Sequence, residues 1–453
     1  MLSNSLIEKD RAHFFHPVAP LRLHERRGAT VLQSGKGSML TDVSGKTLLD
    51  GFSGLWCVNT GYGHESIVEA ATEQLRRLPY ATGYFHFASE PAIELAAELA
   101  ELAPGDLDHV FFTLGGSDAV DTVIRMVHYY NNARGLPDKK QFIGLERGYH
   151  GSSSNGAGLT ALPVFHDGFD LPRNWQHHIA SPYPYRHEAG PDGQAIIEAG
   201  VAALRAKVAE IGAEKIAAFI AEPVQGSGGV IVPPEGYFVA MQAACRELGI
   251  LFIIDEVITG FGRTGPMFAC EHEGLTPDLM TIAKGLTAGY VPMGAALVSD
   301  AVYQVIADAV PDGTPFGHGF TYSGHPVSAA VARAVLKLYR EGGLLENGKK
   351  VGAYFGGRLG ELKAHPLVGD VRSKGLLAGI ELVTDKETKA KPRPDQNVSA
   401  RLAEAGYRHG LIFRAFTDGT IGLAPPLCIT ETEVDMLMDR LMASLDELMD
   451  IRE

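Results

Sequence analysis

Two charged residues each close an otherwise apolar run. Asp255 directly follows Leu-Phe-Ile-Ile at 251–254, and Lys284 follows Leu-Met-Thr-Ile-Ala at 279–283. An ionised carboxylate at the end of a buried strand is costly unless a partner compensates it. A lysine leaving a buried strand loses hydration, which lowers its pKa and frees the amine as a nucleophile toward a carbonyl. A third feature, Gly115-Gly116-Ser117, lies between the apolar run His109–Leu114 and a helical pattern. Its glycines let the backbone approach a ligand, and the helix start offers unpaired N–H groups to an anion. Taken singly, each has an ordinary explanation. Asp255 reads as a helix cap or half of an internal ion pair, Lys284 as a side chain snorkelling to the surface, and the glycine turn as a simple cap.

Together the three describe one ligand: a phosphate, a ring nitrogen kept protonated by a carboxylate, and an aldehyde attacked by a lysine. Pyridoxal 5'-phosphate (PLP) has all three, and its protonated ring is an electron sink that gives a buried aspartate a purpose. Rival nucleotide sites fit worse. The turn Leu114-Gly115-Gly116-Ser117-Asp118 is not G-x-G-x-x-G, and no G-x-x-x-x-G-K-[ST] occurs. The 17 histidines are scattered. The adjacent pair His177-His178 reads as a solvated loop without a third ligand, so no metal site is expected.

The elements that must position these residues alternate between two textures. Short apolar runs at His109–Leu114, Gln141–Glu146, Ile216–Ala221, Leu251–Ile254, Leu279–Ala283 and Gly294–Ser299 are separated by helical patterns. Continuous apolar strands between helices predict a parallel sheet covered on both faces, an α/β doubly wound architecture. Ligands in such sheets bind beyond the carboxyl ends of the strands, where Ser117, Asp255 and Lys284 fall. After about residue 325 the texture changes. A long helical pattern leads to short strands at Leu376–Leu382, Leu411–Phe413 and Ile421–Leu423, and an amphipathic helix ends the chain. The expected division is an N-terminal segment 1–55 that joins a small α+β domain through the strands around Gly45, a large domain 56–324, and the rest of the small domain, 325–453.

A chain of 453 residues is too long for one simple core, which stops growing near ~250–300 residues. The net charge of −14 comes without a long basic run, so the electrostatic footprint of a nucleic-acid binder is missing. Four cysteines, Cys57, Cys245, Cys270 and Cys428, form no metal-type pair and read as reduced, mostly buried thiols. The N-terminus lacks the apolar centre of a signal peptide, and no run of ~20 apolar residues could span a bilayer. A cytoplasmic protein without membrane or nucleic-acid partners is expected.

At these residues the sequence resembles the class III aminotransferases, of PLP fold type I, over nearly the whole chain. Specific matches are LFIIDEVITGFGRTG at 251–265 and PDLMTIAKG at 277–285, supported by EPVQGSGG from Glu222, GYHG at 148–151 and GHGFTYSGHP at 317–326. Gly54-Leu55-Trp56 and LIFRA at 411–415 point to the ω-amino acid and amine:pyruvate branch. The resemblance implies that Lys284 forms the Schiff base and shuttles the proton, and that Asp255 pairs with the pyridinium nitrogen. It implies that Val257 and Tyr149 flank the ring, with His150 beside it, and that Gly116 and Ser117 bind the phosphate. Thr321 would bind that phosphate from a neighbouring subunit, making a homodimer the minimal active unit, with assembly into a tetramer left open. Arg414 would clamp a substrate carboxylate, Glu222 would neutralise Arg414 when none is present, and Trp56, Tyr84 and Phe85 would line the substrate pocket.

Two departures stand out. Ile258 occupies a position where many class III relatives carry glutamine, which makes a 4-aminobutyrate or ornithine type of enzyme less expected. The turn Gly115-Gly116-Ser117-Asp118 replaces the usual Ser-Gly-Ser-Glu. The expected activity is ping-pong transamination from an amine or ω-amino acid to a keto acid, with pyruvate as acceptor. The alternatives on the same scaffold are a decarboxylase, an aminomutase and a non-catalytic PLP-binding protein. The sequence does not specify the amine.

Overall fold

The computed structural model of the protein describes residues 2–172 and 174–452. Two helices, Leu2–His13 and Leu21–Arg27, precede an antiparallel meander of β1 (Leu32–Lys36), β2 (Met39–Asp42) and β3 (Thr47–Asp50). The β2–β3 turn carries Gly45 at φ +86°, a left-handed conformation open to glycine. Asp42 caps this turn by accepting from Ser44 and Lys46 N–H groups.

The large sheet contains β4 (His109–Thr113), β5 (Gln141–Leu145), β6 (Gln176–Ile179), β7 (Ile216–Ala221), β8 (Leu251–Asp255), β9 (Leu279–Ile282) and β10 (Gly294–Val298). Their order is β4-β10-β9-β8-β7-β5-β6. Alternate residues of each strand face different cores. Phe219, Phe252, Ile254, Met280 and Ile282 pack with helices Gly193–Ile211 and Tyr237–Leu248. Ile220, Ile253, Leu279 and Ala296 pack with helix Gly116–Ala133. The two helical layers meet the expectation of a doubly wound α/β sheet.

The sheet is mostly parallel, with one strand reversed. β10 runs antiparallel to both neighbours, β4 and β9. Its apolar run Gly-Ala-Ala-Leu-Val is buried on both faces, and burial alone carries no strand direction. Because β10 sits between β4 and β9, its reversal leaves β4 pointing the same way as β5 to β9. His177 and His178 lie on edge strand β6 rather than in the solvated loop expected of them; His177 Nε2 meets Gln141 Oε1 at 2.7 Å and His178 Nε2 meets the Leu159 carbonyl at 2.8 Å.

The C-terminal part forms a third sheet from β11 (Val368–Lys374), β12 (Leu377–Leu382), β14 (Arg414–Ala415) and β15 (Thr420–Leu423). Strand β13 (Leu411–Ile412) instead adds parallel to β3 and closes the N-terminal meander. The N-terminal strands and β13 of the C-terminal part thus share one sheet. Among the described residues, no helix is long and apolar enough to cross a membrane.

Candidate active site

The carboxyl ends of β4, β5, β7, β8 and β9 open on one edge of the large sheet, and the chemistry-bearing residues follow them. Asp255 is the last residue of β8 and pairs in register with Thr281 on β9, three residues before Lys284. Strand adjacency alone therefore brings the amine and the carboxylate to one place. Lys284 takes a left-handed φ of +44°, a strained conformation for a residue with a side chain. Its Nζ stands 5.7 Å from the centre of the Trp56 ring. Burial pushes the lysine pKa down, while Asp255 and Glu222 pull the other way. Desolvation thus favours the neutral amine that condensation with an aldehyde requires.

Asp255 is fixed from three sides. Thr281 Oγ1 and the Val257 N–H donate to Oδ1 at 2.9 and 3.1 Å, and His150 Nδ1 lies 2.9 Å from Oδ2. Both the carboxylate and the imidazole are buried. The His150 Nε2 atom is buried without a partner, as is Trp56 Nε1. Glu222, just past β7, accepts the Tyr149 N–H at 2.9 Å and the Gly226 N–H at 3.0 Å. It makes no ion pair with Arg414 among the described residues. Burial pushes the Glu222 carboxyl up to about 7, with the Asp255 charge adding and His150 opposing.

That shift has a consequence for the cofactor-free protein. The folded chain holds the Glu222 proton more tightly than the unfolded chain does. Stability therefore falls as pH rises from the ordinary carboxyl value of 4.5 to about 7. Thermal melts of the apoprotein are expected to fall over this window, and Glu222→Gln should flatten the slope. Equal slopes in both proteins would remove Glu222 as the cause.

The helix Gly116–Ala133 begins beside these groups, and its first N–H groups have no partner within the helix. At Gly116 an added Cβ would meet Val257 Cγ1 at 2.9 Å, so only glycine allows this approach. Ser117 Oγ accepts the Ser152 N–H at 3.2 Å, and a Cβ on Gly151 would meet Ser117 at 2.8 Å. The Tyr149 ring lies 5.1 Å from Phe165. Departure at Gly115 leaves the helix start open, since nothing lies within 4 Å of a Cβ built there.

Trp56 forms the opposite wall, inside a cluster with Phe52, Val224, Ile258, Leu377 and Phe416. Ile258 packs into this apolar wall against Gly226, where a Cβ would sit 2.4 Å from Ile258 Cδ1. The turn that carries Trp56 is contorted: Ser53, Gly54 and Trp56 have φ of +48°, +65° and +58°. Two buried groups that sequence reasoning missed hold it. Asp50 accepts from the Phe52 N–H (2.9 Å), the Gly54 N–H (2.7 Å) and Tyr62 Oη (2.7 Å). Arg263, fully buried, donates to Ser53 Oγ (3.1 Å), Asn59 Oδ1 (2.6 Å) and the carbonyls of Pro425 (2.6 Å) and Leu376 (3.3 Å).

Not every expected site residue joins this cluster. Arg414 is exposed, with its guanidinium 5.4 Å from the centre of the Phe416 ring at the rim of the Trp56 wall. Tyr84, Phe85 and Thr321 share a different, exposed patch. Tyr80 Oη donates to the Thr321 carbonyl at 2.9 Å, and Tyr84 Oη lies 2.8 Å from a Cβ built on Gly319. Among the described residues, none of their hydrogen bonds or ring contacts reaches Lys284 or Asp255.

The Lys284 amine, the Asp255 carboxylate and a glycine-lined helix start follow the carboxyl ends of β9, β8 and β4 at one edge of the sheet. They match an aldehyde, a protonatable ring nitrogen and a phosphate on a single ligand, which places the protein among the PLP enzymes of fold type I. The sequence model of the family described as Aminotransferase class-III matches residues 24–445. The chain is 43% identical to the putrescine–pyruvate aminotransferase of Pseudomonas aeruginosa, over 96% of this chain and 95% of that one. It superposes with a TM-score of 0.96 on the (S)-enantioselective omega-transaminase from Thermomicrobium roseum, at 43% identity over 99% of both chains. The omega-transaminase from Pseudomonas jessenii in complex with PMP gives 0.94 at 40% identity over 98% of both. The chain belongs to the class III aminotransferases: it is a PLP-dependent transaminase that moves an amino group from an amine or amino acid to a keto acid.

Proposed function

We propose that this enzyme takes the amino group of an amine or ω-amino acid and delivers it to pyruvate. The observation that carries the proposal is the shape of the wall opposite Lys284. It is apolar through Trp56, Phe416 and Ile258, with one guanidinium, Arg414, at its rim. An amine with an apolar body fits the wall, and the carboxylate of a small keto acid fits the guanidinium. The relative named for putrescine and pyruvate supports this pairing.

PLP supplies the carbonyl that condenses with amines and the protonated ring that accepts the electron pair left on the substrate carbon. The chain's own groups do the rest. Lys284 Nζ would hold and move the proton of the amino-bearing carbon. Asp255 holds the ring-nitrogen proton, and the His150 and Thr281 contacts keep its carboxylate in place. Gly116 and Ser117 would hold the phosphate at the helix start, Val257 and Tyr149 would hold the ring, and Glu222 fixes the Tyr149 backbone by accepting its N–H. Arg414 orients the keto acid.

Tyr84, Phe85 and Thr321 act in a second copy of the chain. Phe85 is 81% exposed, Phe87 65% and Tyr322 55%, and a contiguous aromatic patch of this kind marks a contact surface. A homodimer would place this patch, with the Thr321 hydroxyl, at the partner's phosphate. We also propose the division into 1–55, 56–324 and 325–453, and work in the cytoplasm, in keeping with four free thiols.

The test is a donor panel. Each amine is mixed with the PLP-loaded enzyme without acceptor, and loss of the visible cofactor absorbance is followed. The acceptor is then varied between pyruvate and 2-oxoglutarate. Bleaching by apolar amines and faster recovery with pyruvate are expected; recovery only with 2-oxoglutarate would overturn the acceptor assignment. Arg414→Leu should raise KM for pyruvate about tenfold or more, the order of one charged hydrogen bond, and leave bleaching by carboxylate-free amines intact.

A further inference from the structure

The N-terminal helices Leu2–His13 and Leu21–Arg27 fold back on each other and close around Asp10, His16 and His24. Asp10 lies in the last turn of the first helix, His16 in the connection and His24 in the second helix. Asp10 Oδ1 is 2.6 Å from His16 Nε2, and Asp10 Oδ2 is 3.3 Å from His24 Nε2. The three ligand atoms all lie within 4.8 Å of one another, and the two imidazole centres are 4.4 Å apart. Side-chain exposure is 13% for Asp10 and His24 and 24% for His16. Sequence reasoning missed the group because its spacing, across two helices and a loop, matches no short ligand motif.

Asp10 Oδ2 and His24 Nε2 are both shut off from solvent, and neither makes a hydrogen bond. Buried polar atoms are nearly always paired, so two that face each other unpaired point to a missing partner between them. The Asp10–His16 contact is an ordinary hydrogen bond and needs no such partner; the Asp10–His24 contact is not.

We propose that Asp10, His16 and His24 bind one divalent cation of the zinc class, through one carboxylate oxygen and two imidazole Nε2 atoms, with water completing the shell. Two imidazoles and one carboxylate suit zinc, cobalt or nickel rather than calcium or magnesium, which take oxygen ligands. Ligands about 2.0–2.2 Å from a tetrahedral ion lie roughly 3.3 Å apart, the separation already held by Asp10 Oδ2 and His24 Nε2. Binding replaces the His16 hydrogen bond by a coordinate bond; a neutral imidazole keeps its one proton on Nδ1, and a charged imidazole releases its second proton to solvent. The ion would tie the helices together, and the Arg27–Glu404 ion pair at 2.8 Å joins them to helix Val398–His409.

The test uses tag-free, PLP-loaded, full-length protein, stripped with a chelator and equilibrated with Zn²⁺ or Co²⁺. Bound metal is read by elemental analysis after dialysis, and Co²⁺ also by its visible ligand-field bands. One ion per chain is expected, falling to background in His24→Gln and Asp10→Asn. His24→Gln retains the Asp10–His16 pair and so controls for loss of the arm's fold; its amine half-reaction should match the wild type. No uptake by the wild type would reduce the triad to a hydrogen-bonded hinge and overturn the proposal. Equal uptake by wild type and His24→Gln would overturn it as well.

Discussion

Lys284→Ala should lose amino transfer in both directions, with the amine half-reaction slowed by at least about 10³–10⁴-fold. A positioned proton-transfer group contributes about 10²–10⁴-fold by itself, and the same amine is also the nucleophile that holds the cofactor. The fold should survive. Lys284 Nζ stands 5.7 Å from the centre of the Trp56 ring, and burial already disfavours its charge, so truncation removes a group whose ionised form the fold opposes. Stopped-flow absorbance with excess amine, compared with melting temperatures, separates the two effects. A variant that turns over within tenfold of the wild type would remove Lys284 from the centre of the reaction.

Asp255→Asn is the second large effect. The amide matches the carboxylate in size and can still accept from Thr281 Oγ1 and the Val257 N–H. What it loses is negative charge at the end of β8, beside His150 in a buried setting. Preorganised charge of this kind is worth about 10²–10³-fold in rate, so kcat should fall by that order while KM for the keto acid moves little. Weaker cofactor retention should accompany the loss, read as the concentration of added PLP needed to restore absorbance. If Asp255→Asn binds PLP and turns over like the wild type, the carboxylate has no role at the ring.

The core of this site was legible because the fold advertises it chemically. A charged residue that terminates an apolar run has few reasons to be there, and Asp255 and Lys284 do so on adjacent strands. Ser117 was legible because glycines precede a clear helical pattern. Direction was not: β10 reads like its parallel neighbours because burial on both faces erases any period. β11 went unread because its sequence, Val-Gly-Asp-Val-Arg-Ser-Lys, is largely polar. Its stability comes from pairing with β12 rather than from its own composition. His177 and His178 looked like loop residues for the same reason. Asp50, Arg263 and the Asp10–His16–His24 group depend on contacts between segments far apart in the chain, about which local pattern is silent.

The contorted turn at Ser53–Trp56 reaches well beyond the pocket it lines. Arg263 holds it together with Asp50, and Arg263 is in turn seated on the carbonyls of Leu376 and Pro425, at the margin of the C-terminal sheet. Whatever slackens that margin is felt first by the indole, while the amine and carboxylate on the large sheet keep their places. On the proposed function, changes nowhere near an amine could then alter which amines are accepted without touching the groups that do the chemistry.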